Sequence, residues 1–316
     1  MKIIVLDGYT LNPGDLSWAA LEALGDVTIY EQTPPDEIIA RIGDAPVVIT
    51  NKTVLTAETF AACPALRYVG VLATGYNVVD VAAAAARGIC VTNIPSYGTA
   101  AVAQYTFALL LELCLHVGAH DSAIRAGEWG RNGAFCFWHG SLIEIEGMTM
   151  GLIGLGRIGR RVAAVAQAFG LNVLAYDPSA GEAPEGVALV SLETLLAASD
   201  IVSLHCPLTA DNQGMINQQT INQMKQGAML INTARGGLLN EADVAEALAD
   251  GRLSGAAVDV LSTEPPKADN PMLTAPNCII TPHIAWAPLA TRKRLLSIAI
   301  ENVRCYLAGE AVNRVN

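Results

Sequence analysis

Gly154-Leu155-Gly156-Arg157-Ile158-Gly159 forms the pattern GxGxxG between an apolar run, Met150 to Ile153, and Arg161-Val162-Ala163-Ala164-Val165-Ala166, a good helix former. The glycines alone are a weak signal. In the order strand, turn, helix they bring backbone N–H groups and a helix N-terminus to one point, where a pyrophosphate can sit. A carboxylate follows where the adenosine ribose of a dinucleotide would lie: Asp177 closes the next apolar run, Val173 to Tyr176, 18 residues beyond Gly159. Asp177 would repel a 2′-phosphate, and Pro178-Ser179-Ala180-Gly181-Glu182 supplies no cation to neutralise one, so NAD is expected over NADP. A turn residue ahead of Pro178 is the plain alternative for this aspartate.

Hydride transfer to a carbonyl leaves negative charge on oxygen. It calls for a fixed cation near that oxygen and an acid able to deliver a proton near neutrality. In a doubly wound sheet such groups belong at the carboxyl ends of strands. Three stretches stand there: Thr233-Ala234-Arg235-Gly236-Gly237 after a strand ending at Ile231, Asp259 to Glu264 after one ending at Val258, and Thr281-Pro282-His283-Ile284-Ala285-Trp286 after Cys278 to Ile280. Read singly, a histidine beside Pro282 is a packed loop residue and an arginine before two glycines a surface turn. A second, earlier edge offers an anion site. Val71 to Asn77 runs from strand to helix, so the N–H groups of Ala73-Thr74-Gly75 would face a carboxylate at the helix start, with Lys52 of Asn51-Lys52 adding charge. A plain strand-to-helix turn is the alternative.

The elements that must position these groups follow an alternating rhythm. Lys2–Leu6, Val27–Tyr30, Val47–Ile49, Tyr68–Leu72 and Ile89–Thr92 read as buried strands, with Val78–Arg87 a helix capped by Asn77 and ended by Gly88. After Pro95 one long helix is expected, Thr99 to about Ala126, apolar on more than one face. The aperiodic segment 127–147 holds Trp129, Phe135, Phe137 and Trp138, which should be buried against something: an arm on a dimer partner, or a covered surface loop. A second strand and helix series runs from Met148 to Val258, and a last helix, Leu289 to Leu307, returns the chain to the first domain. The fold class is α/β, two doubly wound parallel-sheet domains, with residues 1–96 and 288–316 in one and 97–287 in the other.

The chain resembles the D-isomer-specific 2-hydroxyacid dehydrogenase family over essentially its whole length. Beside the glycine pattern and Asp177, the similarity rests on Leu204-His205-Cys206-Pro207-Leu208-Thr209, Ile231 to Gly237, Val258-Asp259-Val260 with Glu264-Pro265, and Thr281-Pro282-His283. The resemblance implies that the terminal domain is flavodoxin-like and binds substrate, while 97–287 is a Rossmann NAD-binding domain. It implies that Arg235 grips the substrate carboxylate and keto oxygen, that His283 is the acid/base, and that Glu264 is its carboxylate partner. Asp259 would hold the nicotinamide carboxamide, Arg157 and Ile158 would lie along the pyrophosphate, and Cys206, Pro207 and Thr233 near the cofactor. Thr74 matches the family's ligand-binding threonine. A carboxylate bonded to an imidazole favours the charged ring, so Glu264 would keep His283 protonated for ketoacid reduction.

Within the family, Asn51-Lys52-Thr53, Leu72 to Asn77, Phe137-Trp138 and His283 to Trp286 are most similar to glycerate dehydrogenases, also called hydroxypyruvate or glyoxylate reductases. The implied pocket is small and polar. Formate dehydrogenases of this fold pair the histidine with glutamine, and Glu264 speaks against that reading. Two alternatives stay open: a dehydrogenase for a larger 2-hydroxyacid, and an NAD-binding corepressor-like dimer, against which the complete Arg235, Glu264 and His283 set argues.

Composition narrows the partners. A net charge of -11, from 19 basic and 30 acidic residues, opposes binding to a phosphate backbone or an anionic membrane. The longest apolar stretch, Val102 to Val117, is broken by Gln104, Glu112 and His116, and Asp7 follows the first apolar residues too soon for a secretory signal. Seven scattered cysteines without CxxC spacing read as reduced thiols of a cytoplasmic protein. His116 and His120 share a helix face but lack a third ligand, so no metal is expected.

Overall fold

The computed structural model describes residues 1–316, which divide into two compact units, Met1–Gly98 with Ala287–Asn316, and Thr99–Trp286. No single helix is long and apolar enough to cross a membrane.

The terminal unit is built on five parallel strands: β1 (Lys2–Val5), β2 (Asp26–Ile29), β3 (Val47–Thr50), β4 (Tyr68–Val71) and β5 (Cys90–Thr92), in the order β2-β1-β3-β4-β5. β3 and β4 are buried at every residue, because helices cover both faces and a nearly continuous apolar run fits there. Leu289–Leu307 returns to this unit, where the ring of Tyr306 lies 4.6 Å from that of Tyr68. The C-terminal residues run antiparallel to β5, Val315 N–H donating to Val91 O and Asn93 N–H to Asn313 O.

The central unit carries seven parallel strands: β6 (Thr149–Ile153), β7 (Asn172–Tyr176), β8 (Val187–Leu189), β9 (Ile201–Leu204), β10 (Ala228–Asn232), β11 (Leu253–Val258) and β12 (Cys278–Ile280), ordered β12-β11-β10-β9-β6-β7-β8. Alternate side chains feed two cores. Met150, Leu152, Ile201, Met229 and Ile231 meet Phe107, Leu110 and Val162 on one face, while Ile153, Val202, Leu204, Leu230 and Val258 meet Leu195, Ile216 and Val244 on the other. The chain order reverses between β6 and β9, and there a doubly wound sheet leaves a crevice at its carboxyl edge.

Two local expectations are corrected. The long helix is two, Thr99–Leu115 and Val117–Arg125, bent by 58° where His116 takes a left-handed backbone (φ 50°). The helix expected from Val78 begins at Val81, and Asp80 rather than Asn77 caps it by accepting Ala83 N–H at 2.9 Å. The aromatics of the 127–147 segment are largely uncovered within the chain: Phe135 is 94% and Trp138 62% exposed. β8 and the short helix Gln218–Ile221 have no counterpart in the sequence reading.

Candidate active site

The glycine loop is shaped by what its glycines would strike. Gly154, at the end of β6 with φ 101°, lies so close to β9 that an added Cβ would stand 2.6 Å from Cys206 N. A Cβ on Gly159 would collide with the Gly154 carbonyl oxygen. Gly156 differs, since nothing lies within 4 Å of the position its Cβ would take. It precedes the helix Arg157–Ala168 in an extended conformation, and no side chain of its own caps the first turn. That cradle fits the pyrophosphate of a dinucleotide.

Asp177, at the end of β7, accepts Leu155 N–H through Oδ2 and Ser179 N–H through Oδ1, both at 2.8 Å, and thereby also holds the glycine loop. Beyond β9, His205 donates its N–H to Ile153 O, and its Nε2 lies 2.9 Å from Ser203 Oγ. Burial pushes that imidazole down to about 4, so it is neutral near pH 7. Burial, and then the charge of Asp177, raises the Cys206 thiol. The Pro207 carbonyl accepts Asn212 Nδ2–H, and Ile158 packs partly on the core beneath the loop.

The carboxyl ends of β10, β11 and β12, three adjacent strands, carry Arg235, Glu264 and His283. Asn232, fully buried at the end of β10, fixes the turn before the arginine: Nδ2–H donates to Arg235 O at 2.9 Å and Oδ1 accepts Ala234 N–H at 3.0 Å. Arg235 is exposed, one guanidinium N–H donating to Ala234 O. Gly236 is obligatory here, because a Cβ would overlap the backbone of Leu261 and Ser262. Thr233 is buried, its hydroxyl 3.2 Å from that of Thr106.

Glu264 joins two of these loops. Oε1 accepts Leu261 N–H at 3.0 Å, and Oε2 lies 2.7 Å from His283 Nδ1. His283 has a left-handed backbone (φ 55°), a strained state for a residue with a side chain, and its surroundings hold it there. Its N–H donates to Asp259 O at 2.8 Å, and its carbonyl accepts Trp286 Nε1–H at 2.9 Å. Asp259 is 1% exposed; Oδ1 accepts the Thr281 hydroxyl and Ile284 N–H, and Oδ2 accepts Ala285 N–H. Burial raises its carboxyl above the ordinary range against those donors. Its visible work is to hold the histidine loop, which the sequence reading missed.

In the terminal unit, Thr74 donates its hydroxyl to Ile94 O at 2.6 Å, and Ala73 O accepts Ile94 N–H. The helix starts at Val81, so Ala73, Thr74 and Gly75 do not form its N-terminus, and the expected dipole contribution is absent from that loop. Lys52 stands after β3, its backbone N–H donating to Asp7 Oδ2 at 2.6 Å. Asp7 and Asn232 were missed because their partners are backbone groups, which sequence types do not announce. The one signal available was a carboxylate immediately beyond the carboxyl end of an apolar strand.

A dinucleotide cradle at a switch point, with an imidazole–carboxylate pair and an arginine on the same sheet edge, is the layout of a nicotinamide-dependent oxidoreductase. A family signature described as "D-isomer specific 2-hydroxyacid dehydrogenase, NAD binding domain" matches residues 107–285. The chain is 52% identical to a hydroxypyruvate reductase of Blautia hydrogenotrophica, with 100% of each covered, and 40% identical to a glycerate dehydrogenase of Methylorubrum extorquens, with 90% of each covered. A solved NADPH-dependent glyoxylate/hydroxypyruvate reductase of Sinorhizobium meliloti, in complex with citrate, superposes with a TM-score of 0.86 at 29% identity, over 99% of this chain and 97% of that one. The chain belongs to the D-isomer specific 2-hydroxyacid dehydrogenase family.

Proposed function

We propose that this protein interconverts hydroxypyruvate or glyoxylate with D-glycerate or glycolate, using NAD(H). The observation that carries the reading is the 2.7 Å contact between His283 Nδ1 and Glu264 Oε2 beside the Arg235 turn. With Nδ1–H donated to the carboxylate, Nε2 is the nitrogen that gives a proton to the substrate oxygen in reduction and takes one in oxidation. Glu264 fixes the orientation of the ring, while Arg235 binds the substrate carboxylate and stabilises the developing alkoxide. The reduced nicotinamide, when bound, supplies the hydride. Within the terminal unit, Lys52, Ala73, Thr74 and Gly75 are the candidates for binding a substrate anion.

The Asp177 carboxylate supports NAD over NADP. The helix does bring one cation to the 178–182 segment, but Arg160 donates its guanidinium to Glu182 O at 2.8 Å. The exposed aromatics between Trp129 and Trp138 support a homodimer formed through the central unit, and seven unpaired cysteines support a cytoplasmic location. Initial rates of NADH and NADPH oxidation with glyoxylate, hydroxypyruvate, pyruvate and phenylpyruvate test the proposal. Hydroxypyruvate or glyoxylate with NADH should exceed phenylpyruvate by at least about ten-fold in kcat/KM. NADH binding with no turnover of any ketoacid would return the corepressor reading.

A further inference from the structure

Glu264 stands on a loop that packing does not hold. Residues 262–269, between Leu261 and Asn270, are all exposed. One carboxylate clamps both ends of that stretch. Glu241 opens the helix Glu241–Ala249; its Oε1 accepts Ser262 N–H at 2.6 Å, and its Oε2 accepts the Ser262 hydroxyl at 2.9 Å and Asn270 Nδ2–H at 2.8 Å. Asn270 is anchored in turn, since its Oδ1 accepts the N–H of buried Met272 at 3.0 Å. Hydrogen bonds to a carboxylate are about twice as strong as those between neutral groups, so three of them can order a loop without buried side chains. The backbone of Leu261 and Ser262 is where the supports meet. Leu261 N–H donates to Glu264 Oε1, Ser262 N–H donates to Glu241 Oε1, and Gly236 of the Arg235 turn lies against the same two residues with no room for a Cβ. The helix carrying Glu241 follows the Arg235 turn along the chain, so one side chain ties the segment presenting Arg235 to the loop presenting Glu264.

We propose that Glu241 is a positioning residue for the reaction, holding the 261–264 turn so that Glu264 Oε2 stays at His283 Nδ1. This rests on the ketoacid reading above and adds to it a residue that acts through Glu264. The competing role for Glu241 is a clamp that serves stability only. The two differ in what becomes of Glu264 when the clamp is gone. An amide cannot replace the carboxylate. In Glu241→Gln one end of the side chain is an NH2 group, which meets Ser262 N–H in one orientation and the Asn270 amide in the other, donor to donor.

Glu241→Ala and Glu241→Gln should each lower kcat for hydroxypyruvate reduction by about ten- to hundred-fold, the scale of a misplaced catalytic group. KM should stay within about three-fold and NADH affinity, by fluorescence titration, within about two-fold, because the glycine loop is held from β7 by Asp177. In a Glu264→Gln background, Glu241→Ala should change kcat by less than about two-fold, since its effect passes through the carboxylate already removed. Wild-type kcat in both single variants overturns the proposal, as does an equal loss of kcat with and without Glu264. Hydrogen exchange of the Leu261 amide, which donates to Glu264 and not to Glu241, gives a reading independent of turnover. In Glu241→Ala it should exchange at least about ten-fold faster while the amides of β10 and β11 keep their wild-type protection. An unchanged Leu261 amide overturns the proposal, and so does loss of protection throughout β10 and β11, which marks a general loss of stability. Failure of the wild type to reduce any small ketoacid sinks the functional reading only; the Leu261 exchange then decides by itself whether Glu241 holds Glu264.

Discussion

His283 shows how one residue is held at three points so that a fourth atom is available. Its N–H, its carbonyl and Nδ1 are each hydrogen-bonded, and its φ of 55° is a conformation the chain maintains only because Asp259 and Trp286 clamp both sides. That arrangement leaves Nε2 for chemistry. His283→Ala is expected to lower kcat on the order of 10² to 10⁴-fold, the usual range for losing a general acid, while NADH still binds. Stopped-flow or steady-state turnover with a fluorescence titration of NADH checks both halves, and near-native turnover removes His283 from the mechanism. Asp177, Asp259 and Asp7 share a second lesson. Each sits at or just beyond a strand's carboxyl end and accepts N–H groups from a loop beyond a neighbouring strand, so each helps build a site whether or not it touches ligand.

Among the elements, the glycines divide into two physical classes that the pattern GxGxxG does not distinguish. Gly154, Gly159 and Gly236 are required by close approach of backbone to backbone, while Gly156 borders open space. Gly236→Ala should therefore displace the Leu261–Ser262 backbone, and with it Glu264, costing about 1–3 kcal/mol of stability and most of the turnover. Gly156→Ala should keep the wild-type Tm and weaken NADH, because its methyl enters the cradle rather than the core. Thermal unfolding and NADH titration on both proteins test the division; matching profiles would refute it. The strands were readable from sequence because a strand buried on both faces reads as a nearly continuous apolar run, as β3, β4 and β9 do apart from Thr50 and Ser203. The break at His116 was not. Gly118, two residues on, lies inside the second helix rather than at the break, and His116 itself is neither glycine nor proline, so only its left-handed backbone reveals the 58° bend. The site divides the same way. Arg235, Glu264 and His283 stand out only as an ordered set at strand ends, whereas residue type does not announce that Asn232 fixes the adjacent turn, that Thr281 donates its hydroxyl to the Asp259 carboxylate, or that Asp7 gathers the backbone of the 51–53 loop.

For the whole molecule, the segment after that bend poses a question of exposure. Val117, Trp129, Phe135 and Trp138 are 60%, 46%, 94% and 62% exposed, although the chain holds few aromatics and elsewhere buries rings such as Tyr68, Phe60 and Phe107. A net charge of -11 opposes self-association at long range, so a dimer needs enough apolar burial to overcome it. Aromatic side chains bury roughly 150–250 Å² each, and the exposed parts of Phe135 and Trp138 would supply roughly 6–10 kcal/mol per protomer at about 25 cal/mol per Å². That is a large share of what a specific interface yields once the cost of association is met. The double variant Phe135→Ser, Trp138→Ser should sediment as a monomer at concentrations where the wild type is a dimer, with the Tm of the monomer unit unchanged, because neither side chain fills this chain's own core. Raised salt should tighten the proposed homodimer by screening the like charges. Sedimentation equilibrium at two ionic strengths decides the matter: a wild type that remains monomeric at both, at tens of micromolar, would leave the aromatic arm without a second copy to cover it.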